Sequence, residues 1–132
     1  ILKDAADQIV QEAEDWGDIE TGGVLIGRIS LARRCFTISR VLEAPSDSVR
    51  SKTSFVLGIE GLKKRVREIL EKSGGTLSYV GTWHSHPRGG QASSIDRGCL
   101  ERIRKLRFGA PSLGLIWTPS GLKAIIDEGK LA

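Results

Sequence analysis

Segments of helical period alternating with segments of strand period predict a single α/β domain in which a curved, mixed β-sheet is flanked by helices. Three observations carry this expectation. Residues 3–15 and 59–72 repeat their apolar positions at helical spacing; residues 21–29, 35–44 and 77–86 are rich in β-branched or aromatic side chains; glycine or proline punctuates most junctions. At 132 residues and 39% hydrophobic composition, one domain can bury around two-thirds of its unfolded surface, so it needs no disulfide staples.

Taken in order, the first helix spans residues 3–15, with Leu2, Ala6, Ile9, Val10 and Ala13 on one side, and Trp16-Gly17 closes it. Strands follow at 21–29 and 35–44, the second alternating imperfectly through Phe36, Ile38 and Val41-Leu42. Pro45 to Ser51 reads as a polar loop and Thr53 to Leu57 as a short strand. A second helix over 59–72 carries the stripe Ile59, Leu62, Val66, Ile69 and Leu70, and Gly74-Gly75 stops it. The next strand ends in histidines, and a third helix runs from Ser94 to Leu106 with Ile95, Cys99, Leu100 and Ile103 inward. Two last strands, Ser112 to Thr118 and Leu122 to Ile126, are joined by the turn Pro119-Ser120-Gly121.

Chemistry concentrates at His84-Ser85-His86-Pro87 and the nearby Ser93 and Asp96. The only two histidines of the chain are here. Strand positions i and i+2 share a face, so the two imidazoles stand roughly 6 to 7 Å apart at the backbone, within reach of one metal ion. Catalytic zinc commonly keeps three protein ligands and leaves one position to water, which makes Asp96 the candidate third ligand. The run Ser93-Ser94-Ile95-Asp96 also fits a helix capping box, and Ser93 can cap the helix while Asp96 faces the ion. Other zinc motifs fail on spacing. A closed eightfold barrel needs about 250 residues. The zinc deaminases need a Pro-Cys-x-x-Cys run, whereas Cys35 and Cys99 are isolated; no His-Glu-x-x-His is present.

These residues closely resemble the signature of the JAB1/MPN/Mov34 metalloprotease family: an upstream glutamate, then His-(Ser/Thr)-His-Pro, then Ser-x-x-Asp. The matching positions are Glu20, His84, Ser85, His86, Pro87, Ser93 and Asp96, and Glu20-Thr21-Gly22-Gly23-Val24-Leu25-Ile26-Gly27 looks like a second family block. Six residues separate His86 from Ser93, one fewer than the eukaryotic form usually has, which points to the prokaryotic branch. The resemblance implies the MPN/JAB, cytidine-deaminase-like fold and one Zn²⁺ per chain on His84, His86 and Asp96. It further implies Glu20 as general base toward the metal-bound water that attacks the carbonyl, and Ser93 as hydrogen-bond donor to the developing oxyanion. Ser85 points to the opposite strand face and reads as structural. Gly22 and Gly23, beside Glu20, admit two readings: close approach of a substrate backbone, or a tight bend at the strand start.

The activity so implied is a zinc isopeptidase, deubiquitinase-like, that cleaves after the C-terminal tail of a ubiquitin-like or sulfur-carrier protein. A non-catalytic MPN-type binding module and a metal-dependent hydrolase of another bond are the alternatives. Only the short segments Pro45 to Ser54 and Arg107 to Pro111 lie where substrate-clamping insertions would, so a flexible, glycine-rich tail is expected, added as a strand along the edge of Glu20 to Ile29. From Arg97 to Arg107 there are five basic residues and one acidic; this helix could steer an acidic partner, or be a solvated face. Without an aromatic ladder beside those charges, nucleic-acid binding is not expected. Two cysteines without a framework pattern, no apolar run of membrane-spanning length and no signal-peptide pattern lead us to expect a cytoplasmic protein with no membrane partner. The chain starts at Ile1 and has no methionine, as expected of a domain excised from a longer protein.

Overall fold

The computed structural model describes residues 3–30, 32–33, 35–89 and 112–127. The predicted helix from Ser94 to Leu106, with its basic residues, lies outside them, as do Ser93 and Asp96. Helix α1 (Lys3–Trp16) buries Ala5, Ile9 and Ala13, a run at i, i+4 and i+8 that lies along one face of a helix. These pack on a five-stranded sheet formed by β1 (Gly22–Ser30), β2 (Cys35–Glu43), β5 (Ser78–Ser85), β6 (Ser112–Thr118) and β7 (Gly121–Asp127), in the order β2-β1-β5-β6-β7. All neighbours are antiparallel except β5 and β6, so the sheet is mixed, as expected.

Strand alternation sends apolar side chains to both faces. Leu25, Trp83, Leu113 and Leu115 join the buried residues of α1 in one cluster, while Val24, Ile26 and Leu42 meet Ile69 of α2 (Leu62–Lys72) on the other. A central strand buried on both sides explains the near-continuous apolar run of β1, which a solvent-facing strand would break with polar residues. Among the described residues, no helix is long and apolar enough to cross a membrane.

Three expectations change. First, residues 45–51 are not all loop: β3 (Val49–Arg50) pairs with β4 (Phe55–Val56) as a small separate hairpin. Its tip is closed by Ser51, whose N–H donates to Ser54 O at 2.9 Å and whose hydroxyl accepts from the Ser54 N–H at 3.0 Å. Second, α2 begins at Leu62, and Ile59 is 80% exposed instead of contributing to the core stripe. Gly61 at φ +69° breaks the helical path, and the Asp47 carboxylate takes the Ile59 and Glu60 N–H groups, at 3.0 Å each. Those amides are thereby capped from the hairpin base, outside any helix. Third, β1 has no free edge for an added substrate strand, because β2 and β5 flank it along its length.

Candidate metal centre

Strands β5 and β6 run parallel, and their carboxyl ends lie together, the place where open α/β sheets put ligand-binding residues. His84 and Ser85 end β5, and the His86 N–H donates to Trp117 O of β6 at 2.7 Å. The amino end of the antiparallel β1 arrives at the same place, with Gly22 opposite His84. Beyond that pair the two chains clasp at Thr21 and Ser85. The Ser85 N–H donates to Thr21 O at 2.8 Å, and the Thr21 N–H donates to Ser85 Oγ at 2.9 Å.

This clasp continues the register by one more pair and brings Glu20 across from His86, where Glu20 Oε1 stands 3.8 Å from His86 Nε2. Only 13% of the His86 side chain and 14% of the Glu20 side chain are exposed, so the carboxylate is shielded from bulk water without being sealed from it. The pair is ionic only with His86 protonated; beside a neutral imidazole, the carboxylate is a proton acceptor. By alternation Glu20, Gly22, His84 and His86 share one sheet face, and Thr21 and Ser85 the other. Ser85, between the two histidines, is fully buried and spends its hydroxyl on Thr21, in line with the structural role expected of it.

His84 is 6% exposed and meets the edge of the Phe55 ring, centroids 5.1 Å apart and planes at 74°, a favourable T-shaped contact. Phe55 can sit there because Gly22 has no side chain: a Cβ at Gly22 would stand 2.7 Å from Phe55 Cε2 and collide with Trp83 O. A Cβ at Gly23 would collide with Leu42 O and stand 2.7 Å from Trp83 Nε1. Packing of this chain on itself therefore accounts for both glycines. Nothing in the residue pattern marks Phe55, Arg50 or Trp16 as neighbours of the site, since Phe55 and Arg50 reach it through a hairpin of two-residue strands and Trp16 only through Arg50.

Among the described residues no three His, Cys, Asp or Glu side chains group as a metal-holding set, and Asp96 lies outside them. The donor chemistry of the two imidazoles, on one face at a sheltered strand end with a carboxylate beside them, suits a borderline ion such as zinc once one further oxygen ligand is supplied.

A mixed sheet thus carries two histidines at and just past the end of its parallel pair, faced by a glutamate that precedes the antiparallel neighbour. Residues 2–122 match the family described as prokaryotic homologs of the JAB domain, and the chain belongs to that family. Two curated relatives give the match a scale. A probable metalloprotease, y4qB, of Sinorhizobium fredii (strain NBRC 101917 / NGR234) is 30% identical over 105 residues, covering 78% of this chain and 63% of the relative. A CD-NTase/cGAS isopeptidase of Enterobacter hormaechei subsp. hoffmannii (strain UCI 50) is 32% identical over 125 residues, covering 85% of this chain and 68% of the relative. The chain thus spans about two-thirds of the length of these relatives.

Proposed function

We propose that this domain is a zinc-dependent isopeptidase or peptidase that cleaves after the C-terminal tail of a ubiquitin-like or sulfur-carrier protein. The observation that carries the reading is the Glu20 carboxylate held 3.8 Å from His86 Nε2, beside the buried His84, where the carboxyl ends of β5 and β6 meet. The relatives named metalloprotease and isopeptidase support the same class of bond.

His84, His86 and Asp96 would hold the ion, which when bound would polarise the scissile carbonyl and acidify a water molecule at its open position. Glu20 accepts the proton of the attacking water on a carboxylate oxygen and hands it to the leaving amine nitrogen as the C–N bond breaks. Ser93 donates its hydroxyl hydrogen to the carbonyl oxygen as charge grows there, a contribution worth about 3 kcal/mol in comparable sites. Small residues are expected on the acyl side of the scissile bond, since its carbonyl has to reach an ion beside the sheltered His84 and His86.

The test is a zinc-titrated assay on a ubiquitin-like protein joined to a partner through a Gly-Gly tail, beside the same fusion with bulky residues at those positions. Zinc-dependent cleavage of the first and roughly tenfold or slower cleavage of the second is expected. Equal cleavage of both removes the substrate model, and cleavage of nucleic acid but of neither fusion removes the peptidase reading altogether.

A further inference from the structure

We propose that Arg50 is a positioning residue that sets the two halves of this site, Glu20 and His84, relative to one another; the inference rests on the functional reading above. Arg50 is half-buried, and its guanidinium meets no carboxylate among the described residues. Instead, Arg50 Cζ lies 4.2 Å from the centroid of the Trp16 ring and 5.7 Å from that of Phe55, and Nε donates to Thr21 Oγ1 at 3.0 Å.

Each of these contacts leads to the site. Thr21 adjoins Glu20 and is clasped to Ser85, the residue between the two histidines. Phe55, the cross-strand partner of Arg50 in the hairpin, has its ring against His84. Ser51, next after Arg50, accepts the Glu20 N–H on its carbonyl at 2.9 Å. Arg50 therefore joins the end of α1, the start of β1 and the β3-β4 hairpin, which touch the site from different directions.

A cation that meets no anion among the described residues is an expensive way to fill space, since there its partial desolvation is offset by two aromatic faces and one hydrogen bond. A planar group that stacks on rings and donates in the plane fixes orientation as well as distance. Lysine, a point charge on a flexible stem, does not. The surface pair Lys3 with Asp7, at 3.1 Å, constrains nothing beyond its own helix, and Lys52 with Asp18, at 3.5 Å, spans the hairpin tip and the end of α1 but is solvent-exposed and so holds them weakly. Displacing a reacting group by about 1 Å can cost on the order of 10²-fold in rate, so a rivet at this point acts on turnover more than on the fold.

The experiment compares Arg50→Lys with wild type in two ways. Amide hydrogen exchange of the metal-free protein reads positioning without any activity: exchange at Glu20 and Thr21 should rise roughly tenfold or more while Leu25, in the same strand, stays protected. With zinc bound, turnover of the Gly-Gly fusion should fall roughly tenfold with KM within about twofold, and the fall should shrink when Arg50→Lys is placed in a Glu20→Gln background, because the part that acts through the placement of Glu20 is then already lost. Trp16→Leu, which removes one face of the stack from an exposed position, should repeat both effects more weakly if Arg50→Lys folds poorly. Unchanged exchange at Glu20 and Thr21 overturns the proposal, as does a rate loss that persists in full in the Glu20→Gln background. Local loosening in a protein whose wild type cleaves neither fusion leaves the positioning role standing and removes the functional reading instead.

Discussion

The core beneath α1 and the β3-β4 hairpin at the site are held by opposite kinds of force. Under α1 the fastening is apolar and distributed: Ile9, Ala13, Leu25, Trp83 and Leu115 belong to one buried, close-packed cluster. The hairpin has two residues per strand, and Val49 and Val56 of its outer pair are 60% and 55% exposed. Its anchors are individual polar bonds: Asp47 to the Ile59 and Glu60 amides, Ser48 Oγ from the Gly58 N–H at 2.9 Å, and Ser51 O from the Glu20 N–H at 2.9 Å. Distributed contacts set stability, whereas the few directional ones set where Phe55 and Glu20 stand. Changes in the two regions should therefore separate in measurement.

The largest effects lie in the site itself and sharpen the contrast by leaving the core alone. His84→Ala removes one of the proposed ligands, so zinc content by elemental analysis should fall from about one per chain to near zero, and turnover with it. Glu20→Gln should keep the zinc and the melting temperature while losing on the order of 10²-fold or more in turnover, since its task is proton transfer. Wild-type zinc content in His84→Ala would remove that residue from the ligand set. Unimpaired turnover in Glu20→Gln would end its assignment as the base.

Why the core was legible, while of the hairpin only the short strand at Thr53 to Leu57 was, follows from the same difference. Helical and strand periods are written in many residues at once, so α1, β1, β2, β5, β6 and β7 could be placed to within a residue or two, and the face shared by His84 and His86 follows from alternation alone. The pairing of Val49-Arg50 with Phe55-Val56 leaves no period to read, and Arg50 in a serine-rich stretch looks like any solvated cation. Ile59 misled for a related reason: it falls on the helical period of Leu62, Val66 and Ile69, but the backbone at Gly61 and the Asp47 cap hold it off the helix. The edge of β1 was misjudged because period shows that a strand is buried without showing which neighbours it has. Glu20 was visible only through the resemblance, and its approach to His86 depends on the Thr21-Ser85 clasp between residues 64 apart in sequence.

An intermediate effect, opposite in kind, comes from the core. Ile9 is fully buried, and Ile9→Ala should cost about 2–5 kcal/mol, since the rigid sheet beneath cannot close the cavity. For a domain of this size that lowers the melting temperature by roughly 10 °C or more. Turnover per folded molecule, measured well below the transition, should stay within about twofold of wild type. A specific loss of turnover at full folding would show that the two regions are coupled after all.

The smallest effect concerns the base of the hairpin and carries its own pH signature. Hydrogen bonds from the Ile59 and Glu60 N–H groups hold the Asp47 carboxyl below the usual carboxylate range. Because the folded value is depressed, the stabilisation is present when pH is above the ordinary carboxylate value. It is lost as pH falls through the lower, folded value, so the window lies below about pH 4. Asp47→Asn keeps the shape and removes the charge, which weakens the grip on both amides at neutral pH but leaves nothing further to titrate. Wild type should therefore be slightly more stable than Asp47→Asn at pH 7, by chemical denaturation, and the difference should shrink as acid protonates Asp47. Amide exchange at Ile59 and Glu60 should rise in wild type over the same window, while amides of the α1 face of the sheet change only with global unfolding. A stability difference that stays constant through the acid range would mean that the carboxylate charge plays no part in anchoring the hairpin.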